Sequence, residues 1–220
     1  MDQSAFMKSY VDRMKMFREV CTGGKILHLG CSSGKFIEER IRRGDLLHGE
    51  LAKVASELHG LDLDSESISA LRRMGFGNLW EGNAENLGQV GLPKAHFDVV
   101  VAGDLLEHIT NPGGMLDGIK PLLGKGGVLL LSTNNAFGIN YQVRRWLGMY
   151  SEHPEHVVFY SPETLVHTFE RHGYVVKTLY GAFTVPPYTA LKKVLFFLGS
   201  PLLRMFPVLA GTLVLVAQVG

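Results

Sequence analysis

The chain has 220 residues, 46% of them hydrophobic and 20% charged, which suits one well-cored globular domain and excludes a disordered chain. Its 22 Lys and Arg balance 21 Asp and Glu to a formal charge of +1, without the strongly basic signature of a nucleic-acid binder. Two cysteines, Cys21 and Cys31, and an N-terminal stretch without an apolar core point to a reduced, cytoplasmic protein that carries no leader peptide.

Phe6, Tyr10, Met14 and Phe17 recur at helical spacing and predict an amphipathic helix over 3–20, read as a cap on the site. The run at 25–29 predicts a first strand, stopped by Gly30 and followed by helices at 34–43 and 46–57. Strand 58–62 comes next, with Ser65 as the cap of a helix at 65–74. Strands at 78–81, 97–102 and 127–132 follow, with a helix at 113–122 between the last two. Helices at 137–149 and 162–172, a strand at 174–182, a helix at 188–199 and a strand at 212–218 complete the chain.

Continuous apolar runs such as FDVVVA suit a sheet covered on both faces. Strand–helix alternation implies a doubly wound α/β sheet, in which ligands sit at the carboxyl ends of the strands. The expectation is one domain over 1–220, with 184–208 a helical insertion before the last strand. Residues 191–219 are apolar, but Pro201, Arg204, Pro207 and Gly211 interrupt them before the ~18–20 residues of a spanning helix. They read as a short buried helix and a core strand; the alternative is peripheral membrane or lipid contact through 187–210.

The strand ends carry the functional argument. In KILHLGCSSGKF, Gly30 and Gly34 are spaced G-x-x-x-G, short of the three-glycine dinucleotide pattern. Phe36 stands where a phosphate loop needs a hydroxyl. Asp62 ends the second strand, where a carboxylate can accept both hydroxyls of a ribose; Asp64 is the rival acid within the turn. Asn83 and Ala84 follow the third strand, placed to read the edge of a base. Asp104, Glu107 and His108 cluster just past the fourth, where pKa values shift.

The segments ILHLGCSSGKF, GLDLDSESI, EGNAENL, FDVVVAGDLLEHITNP and LLGKGGVLLLSTNN, in this order, resemble class I S-adenosylmethionine-dependent methyltransferases, on the small-molecule branch similar to ubiquinone-biosynthesis enzymes. The resemblance covers residues 25–180. It implies a seven-stranded Rossmann-like sheet with helices on both faces and the last strand antiparallel, inserted beside the sixth. It implies S-adenosylmethionine as cofactor and a small-molecule methyl acceptor, lipid-linked or sugar-derived and methylated at oxygen. Gly30, Cys31 and Gly34 would pack around the methionine portion and ribose. Asp62 would hold the ribose hydroxyls, Leu63 would lie beside the adenine, and Asn83 and Ala84 would meet its edge. Ala102 and Asp104 would sit near the sulfonium. Two of these cofactor positions depart from the pattern: His28 stands where the family has an acid, and Ser32 where it often has a glycine.

A sulfonium methyl is already activated, so the enzyme aligns the acceptor and excludes water. An oxygen acceptor also needs a base or a metal. His108, Glu107 and His156 are the candidate catalytic residues, without metal. One alternative is metal-assisted O-methylation of a quinone-like phenol, which the same acids and histidines resemble. The other is a catalytically degenerate S-adenosylmethionine-binding protein, to which His28 and Ser32 would belong. Phe6, Tyr10, Tyr141, Trp146, Tyr150 and Tyr188 are candidates for an aromatic acceptor wall. Arg144, Arg145, Lys192 and Lys193 are read as meeting an anionic acceptor or as solvated surface.

Overall fold

The computed structural model describes residues 7–32, 34, 37–149, 153–183 and 201–220. Its strands are β1 (Met7–Asp12), β2 (Lys25–Leu29), β3 (Glu57–Asp62), β4 (Leu79–Glu81), β5 (Phe97–Gly103), β6 (Leu123–Asn134), β7 (Tyr174–Phe183) and β8 (Thr212–Val219). The helices are α1 (Arg13–Cys21), α2 (Ile37–Arg43), α3 (Leu47–Ala52), α4 (Ser65–Arg73), α5 (Pro112–Ile119), α6 (Ile139–Trp146) and α7 (Pro162–Arg171). The strands form one sheet in the order β1-β7-β8-β6-β5-β2-β3-β4. Every pairing is parallel except those of β8, which runs antiparallel between β6 and β7.

This is the expected doubly wound sheet with its last strand reversed, and one strand more. The addition corrects the helix expected over 3–20. Met7, Tyr10 and Val11 pair with Leu179, Gly181 and Ala182 along β7. An unpaired strand edge offers free N–H and C=O groups, and Tyr and Val suit a pleated ladder better than a helix. Asp12 then caps α1, its carboxylate accepting from the Lys15 N–H at 3.0 Å. Tyr10 lies against Phe183, ring centroids 5.4 Å apart, on that sheet edge; it is not among the residues that line the cavity described below. Phe6, Tyr150, Tyr188, Lys192, Lys193 and the helix expected at 188–199 lie outside the described residues.

Alternation along the central strands covers both faces. Leu27 and Leu29 join Phe97, Leu116 and Phe169 on one side, while Ile26 joins Phe17, Leu47 and Val101 on the other. Each such buried side chain contributes roughly 1.5–3 kcal/mol. In contrast, α6 buries none of its residues. Among the described residues no helix is long and apolar enough to cross a membrane.

Candidate active site

The carboxyl ends of β2, β3, β4 and β5 open onto one cavity of about 1090 Å³. After β2 the chain turns at Gly30 with φ +66°, where an added Cβ would meet Leu105 at 3.1 Å. The Gly30 and Cys31 N–H groups both donate to the Leu61 carbonyl, at 2.8 and 3.1 Å, which ties this turn to β3. The Ser32 hydroxyl accepts from the Gly34 N–H at 3.2 Å, a contact a glycine could not make, and the Ser32 backbone N–H donates to Asp62 Oδ2 at 2.9 Å.

Asp62 Oδ1 also accepts from the Asp64 N–H, at 3.1 Å. A carboxylate has about four lone-pair positions, so Asp62 retains capacity for two hydroxyls. The rival acid is committed elsewhere: Asp64 caps α4, accepting from the Glu66 N–H at 3.0 Å and from the Ser67 hydroxyl. Ser65 is therefore the first helical residue and not the cap. Leu63 is 70% exposed on the cavity wall, free to cover an aromatic ring. The Asn83 side-chain oxygen accepts from the Glu85 N–H at 2.8 Å, which leaves its NH₂ group for a base edge, and Ala84 lines the wall beside it.

His28, on β2, is buried in the cavity floor against His48 of α3, their Nδ1 atoms 3.2 Å apart. Burial, His48 and the nearby Arg13 hold its pKa well below the usual histidine range, so it is neutral. Burial likewise lowers His48 to about 4. Between two neutral rings one Nδ1 must donate and the other accept. His28 therefore supplies no charge to the cavity floor.

The charged group at this level is Arg13, which the sequence reading missed. It opens α1 and is 3% exposed in the cavity wall. Its guanidinium donates to Asp104 Oδ2 and, at 3.1 Å, to Ser132 Oγ, while its Nε is buried without a partner among the described residues. Asp104 has φ +51°, and Ser132 Oγ donates to its Oδ1 at 2.8 Å. Burial would raise the Asp104 carboxyl, but Arg13 and Ser132 bring it below its usual range. Ala102 is buried inside β5, paired with Leu29 and Leu131; Gly103 lines the cavity instead.

On the other side of the cavity, Glu107, His108 and His156 bring one ligand-type atom each within 4.8 Å of one another. Glu107 is 1% exposed and accepts from Thr133 Oγ1 at 2.8 Å. Burial, and then the neighbouring Asp104 charge, push its pKa up to about 7 despite that bond. The Val157 and Val158 N–H groups donate to the Glu107 carbonyl at 2.9 and 3.3 Å, which straps the 153–158 segment across the mouth. The His108 and His156 rings meet edge to face, 4.7 Å between centroids, with His153 beside them. Tyr141 reaches this wall through Asn134, its hydroxyl donating to Oδ1 at 2.9 Å. Trp146 does not: it is 79% exposed on α6.

A second cluster, Glu57, His59 and His96, lies at the opposite end of the sheet. There the Trp80 indole N–H donates to His59 Nδ1 at 3.1 Å. That fixes the His59 proton on Nε2, where it donates to Glu57 at 2.7 Å, so both His59 nitrogens are engaged, and His96 Nε2 lies 2.9 Å from the same Glu57 oxygen.

The strand ends, the ribose-type carboxylate and the base-edge amide together define a nucleoside-binding site of the class I methyltransferase kind. Residues 5–179 match the family model described as "Methyltransferase domain", and the chain belongs to that family, whose cofactor is S-adenosylmethionine. It is 30% identical over 129 residues to a ubiquinone biosynthesis O-methyltransferase of Psychrobacter cryohalolentis, covering 56% of this chain and 46% of that protein. It is 32% identical over 116 residues to a probable S-adenosylmethionine-dependent methyltransferase of Mycolicibacterium smegmatis, covering 52% and 40%. The chain thus spans less than half the length of these curated relatives. In fold it resembles an S-adenosylmethionine-dependent methyltransferase from Mesorhizobium loti, with a TM-score of 0.57 and 18% identity over 93% of this chain and 94% of the other.

Proposed function

We propose that the chain methylates an oxygen of a small, lipid-linked or sugar-derived acceptor, and that Glu107, His108 and His156 handle the acceptor's proton. The observation that carries this reading is the shared cavity: the Gly30 turn, Asp62 and Asn83 line one part of it, and Glu107, His108 and His156 another. The relatives named as O-methyltransferases support an oxygen acceptor.

S-adenosylmethionine supplies an electrophilic methyl and leaves as S-adenosylhomocysteine. The residues present fit it. Asp62 would accept the ribose hydroxyls, Leu63 would cover the adenine, and the Asn83 NH₂ group would bond its edge. Arg13, held by Asp104 and Ser132 in the cavity wall, would set its positive charge against the methionine carboxylate. His28 would support the methionine end as a neutral hydrogen-bonding group. The acceptor hydroxyl gives its proton to His108 or Glu107 as the new O–C bond forms. A pKa near 7 suits Glu107 to that exchange near neutral pH.

A second reading places a divalent cation between Glu107, His108 and His156, where it would lower the pKa of an acceptor hydroxyl. Two imidazoles and a carboxylate suit zinc or manganese, but Asp104 is engaged by Arg13. Methyl transfer to a panel of phenols and lipid-linked hydroxyls, followed by mass spectrometry with and without chelator, tests both. Transfer that survives chelation supports the metal-free reading. Transfer abolished by chelation and restored by manganese or zinc supports the second. Transfer only to nitrogen or carbon acceptors overturns both.

A further inference from the structure

His28 and His48 are 2% and 0% exposed, and their side chains bond to each other and to no acid among the described residues. Their rings are tilted by only 18°, with centroids 5.4 Å apart. At an Nδ1–Nδ1 distance of 3.2 Å they therefore meet edge to edge, as an N–H···N bond requires. Both rings are neutral, so the pair holds two N–H protons. One lies in the bond between the rings. The other sits on Nε2 of whichever ring accepts. Both Nε2 atoms are buried without a partner among the described residues.

The surroundings decide which ring accepts. His48 is enclosed by apolar groups. Its ring meets Phe76 edge to face at 5.1 Å. An added Cβ on Gly60 would meet His48 Cε1 at 2.9 Å, Leu79 Cδ2 at 2.7 Å and Cys31 Sγ at 2.8 Å. An N–H on His48 Nε2 would have no acceptor, and a buried donor without one is rare and costly. His28, in contrast, lines the cavity, where a ligand can accept from it. Arg13 lines the same cavity, close enough for its charge to act on His28. Asp104 answers part of that charge, but both its oxygens already accept, from Arg13 and from Ser132. The Arg13 Nε–H is left as a second buried donor without a partner. Two such donors beside a guanidinium favour an anion over an ammonium. A carboxylate only accepts, so it bonds to His28 only where His28 donates.

We propose that His48 is a positioning residue: donating from its Nδ1, it holds His28 in the Nε2–H form, so that the cavity floor offers a donor to the carboxylate of the cofactor's methionine end. The carboxylate assignment rests on the proposed function; the tautomer does not. The methionine end is then recognised chiefly by its carboxylate, and its amino group contributes little.

The test has two arms. NMR of the full chain, labelled at its histidine ring nitrogens, reads the tautomers without ligand, and His28→Gln and His48→Asn assign the signals. The expected result is His28 protonated on Nε2 and His48 on Nδ1. The reverse arrangement, or a cationic ring at neutral pH, overturns the proposal. Calorimetric titration then compares S-adenosylhomocysteine with its decarboxylated and its deaminated analogues. Loss of the carboxylate should cost at least about tenfold in affinity and loss of the amino group less than about threefold. His48→Phe, which keeps an aromatic ring but donates nothing, should weaken only the two ligands that carry the carboxylate, and His48→Asn should restore them. A merely structural role would weaken all three ligands together and overturns the proposal. His28→Asp should weaken S-adenosylhomocysteine; a tighter complex would place the ammonium against His28 and overturns it too. If the parent binds no S-adenosylhomocysteine, the cofactor reading fails and the carboxylate assignment with it, whatever the tautomers.

Discussion

Arg13 and Asp104 lie 91 residues apart, and the guanidinium of the first donates to the carboxylate of the second at the edge of the cavity. The pair joins the start of α1 to the end of β5, and Ser132 of β6 completes it. Neither charge has another charged partner at hydrogen-bond distance among the described residues. Removing one leaves the other stranded. Arg13→Met is expected to destabilise the protein by up to about 3 kcal/mol, below the full cost of a buried orphan because a third of the Asp104 side chain stays open. Adding Asp104→Asn should restore part of that stability without restoring cofactor affinity. Urea unfolding and cofactor titration of both variants check this; affinity returning with stability would limit Arg13 to a structural role.

The two acids after β3 are expected to separate cleanly. Asp62→Ala should weaken S-adenosylhomocysteine binding by about 1.5–3 kcal/mol, the range for hydrogen bonds to a charged group. Asp64→Ala removes a helix cap, so it should cost about 1 kcal/mol of stability and little affinity. Calorimetric titration of both variants decides it, and equal losses of affinity would remove the ribose role from Asp62.

Glu107 makes stability and activity respond to pH in opposite directions. Its folded pKa of about 7 lies above the ordinary value of 4.5. The folded state therefore favours the protonated form, and this contribution is complete below about pH 4.5 and lost as pH rises through 7. Glu107→Gln keeps an acceptor for Thr133 and removes the titration, so its stability relative to the parent should rise between pH 5 and 8. Turnover of the parent should increase over the same interval as Glu107 ionises. Unfolding curves and rate profiles at several pH values measure the two trends; a flat rate profile together with an active Glu107→Gln variant would exclude it as the base.

His108 is expected to act on the acceptor. His108→Ala should lower turnover by 10²–10⁴-fold, the usual contribution of a positioned proton acceptor, and leave cofactor affinity within about twofold. Single-turnover rates beside a cofactor titration separate the two effects. A loss confined to affinity would move His108 to the cofactor's side of the cavity.

Much of this arrangement was legible in the sequence because local patterns control it. The Gly30 turn, Asp62 and Asn83 each follow an apolar run directly, so strand ends could be read from composition. Asp12 and Arg13 were not legible in that way. Tyr10, Met14 and Phe17 satisfy helical spacing, yet the open edge of β7 draws residues 7–12 into a ladder, and only a long-range pairing decides between them. Arg13 reaches Asp104 only once that strand has set where α1 begins. His28 was noted as a missing acid, but its pairing with His48 depends on where α3 packs. The exposure of Trp146, read at first as acceptor wall, appeared only when α6 was seen to bury nothing.

The most direct measurement is isothermal titration of the purified chain with S-adenosylhomocysteine, with NAD in a parallel experiment. One-site micromolar binding of S-adenosylhomocysteine is expected, weakened in Asp62→Ala, with no heat from NAD. Binding of NAD with none of S-adenosylhomocysteine would contradict the assignment of the cavity.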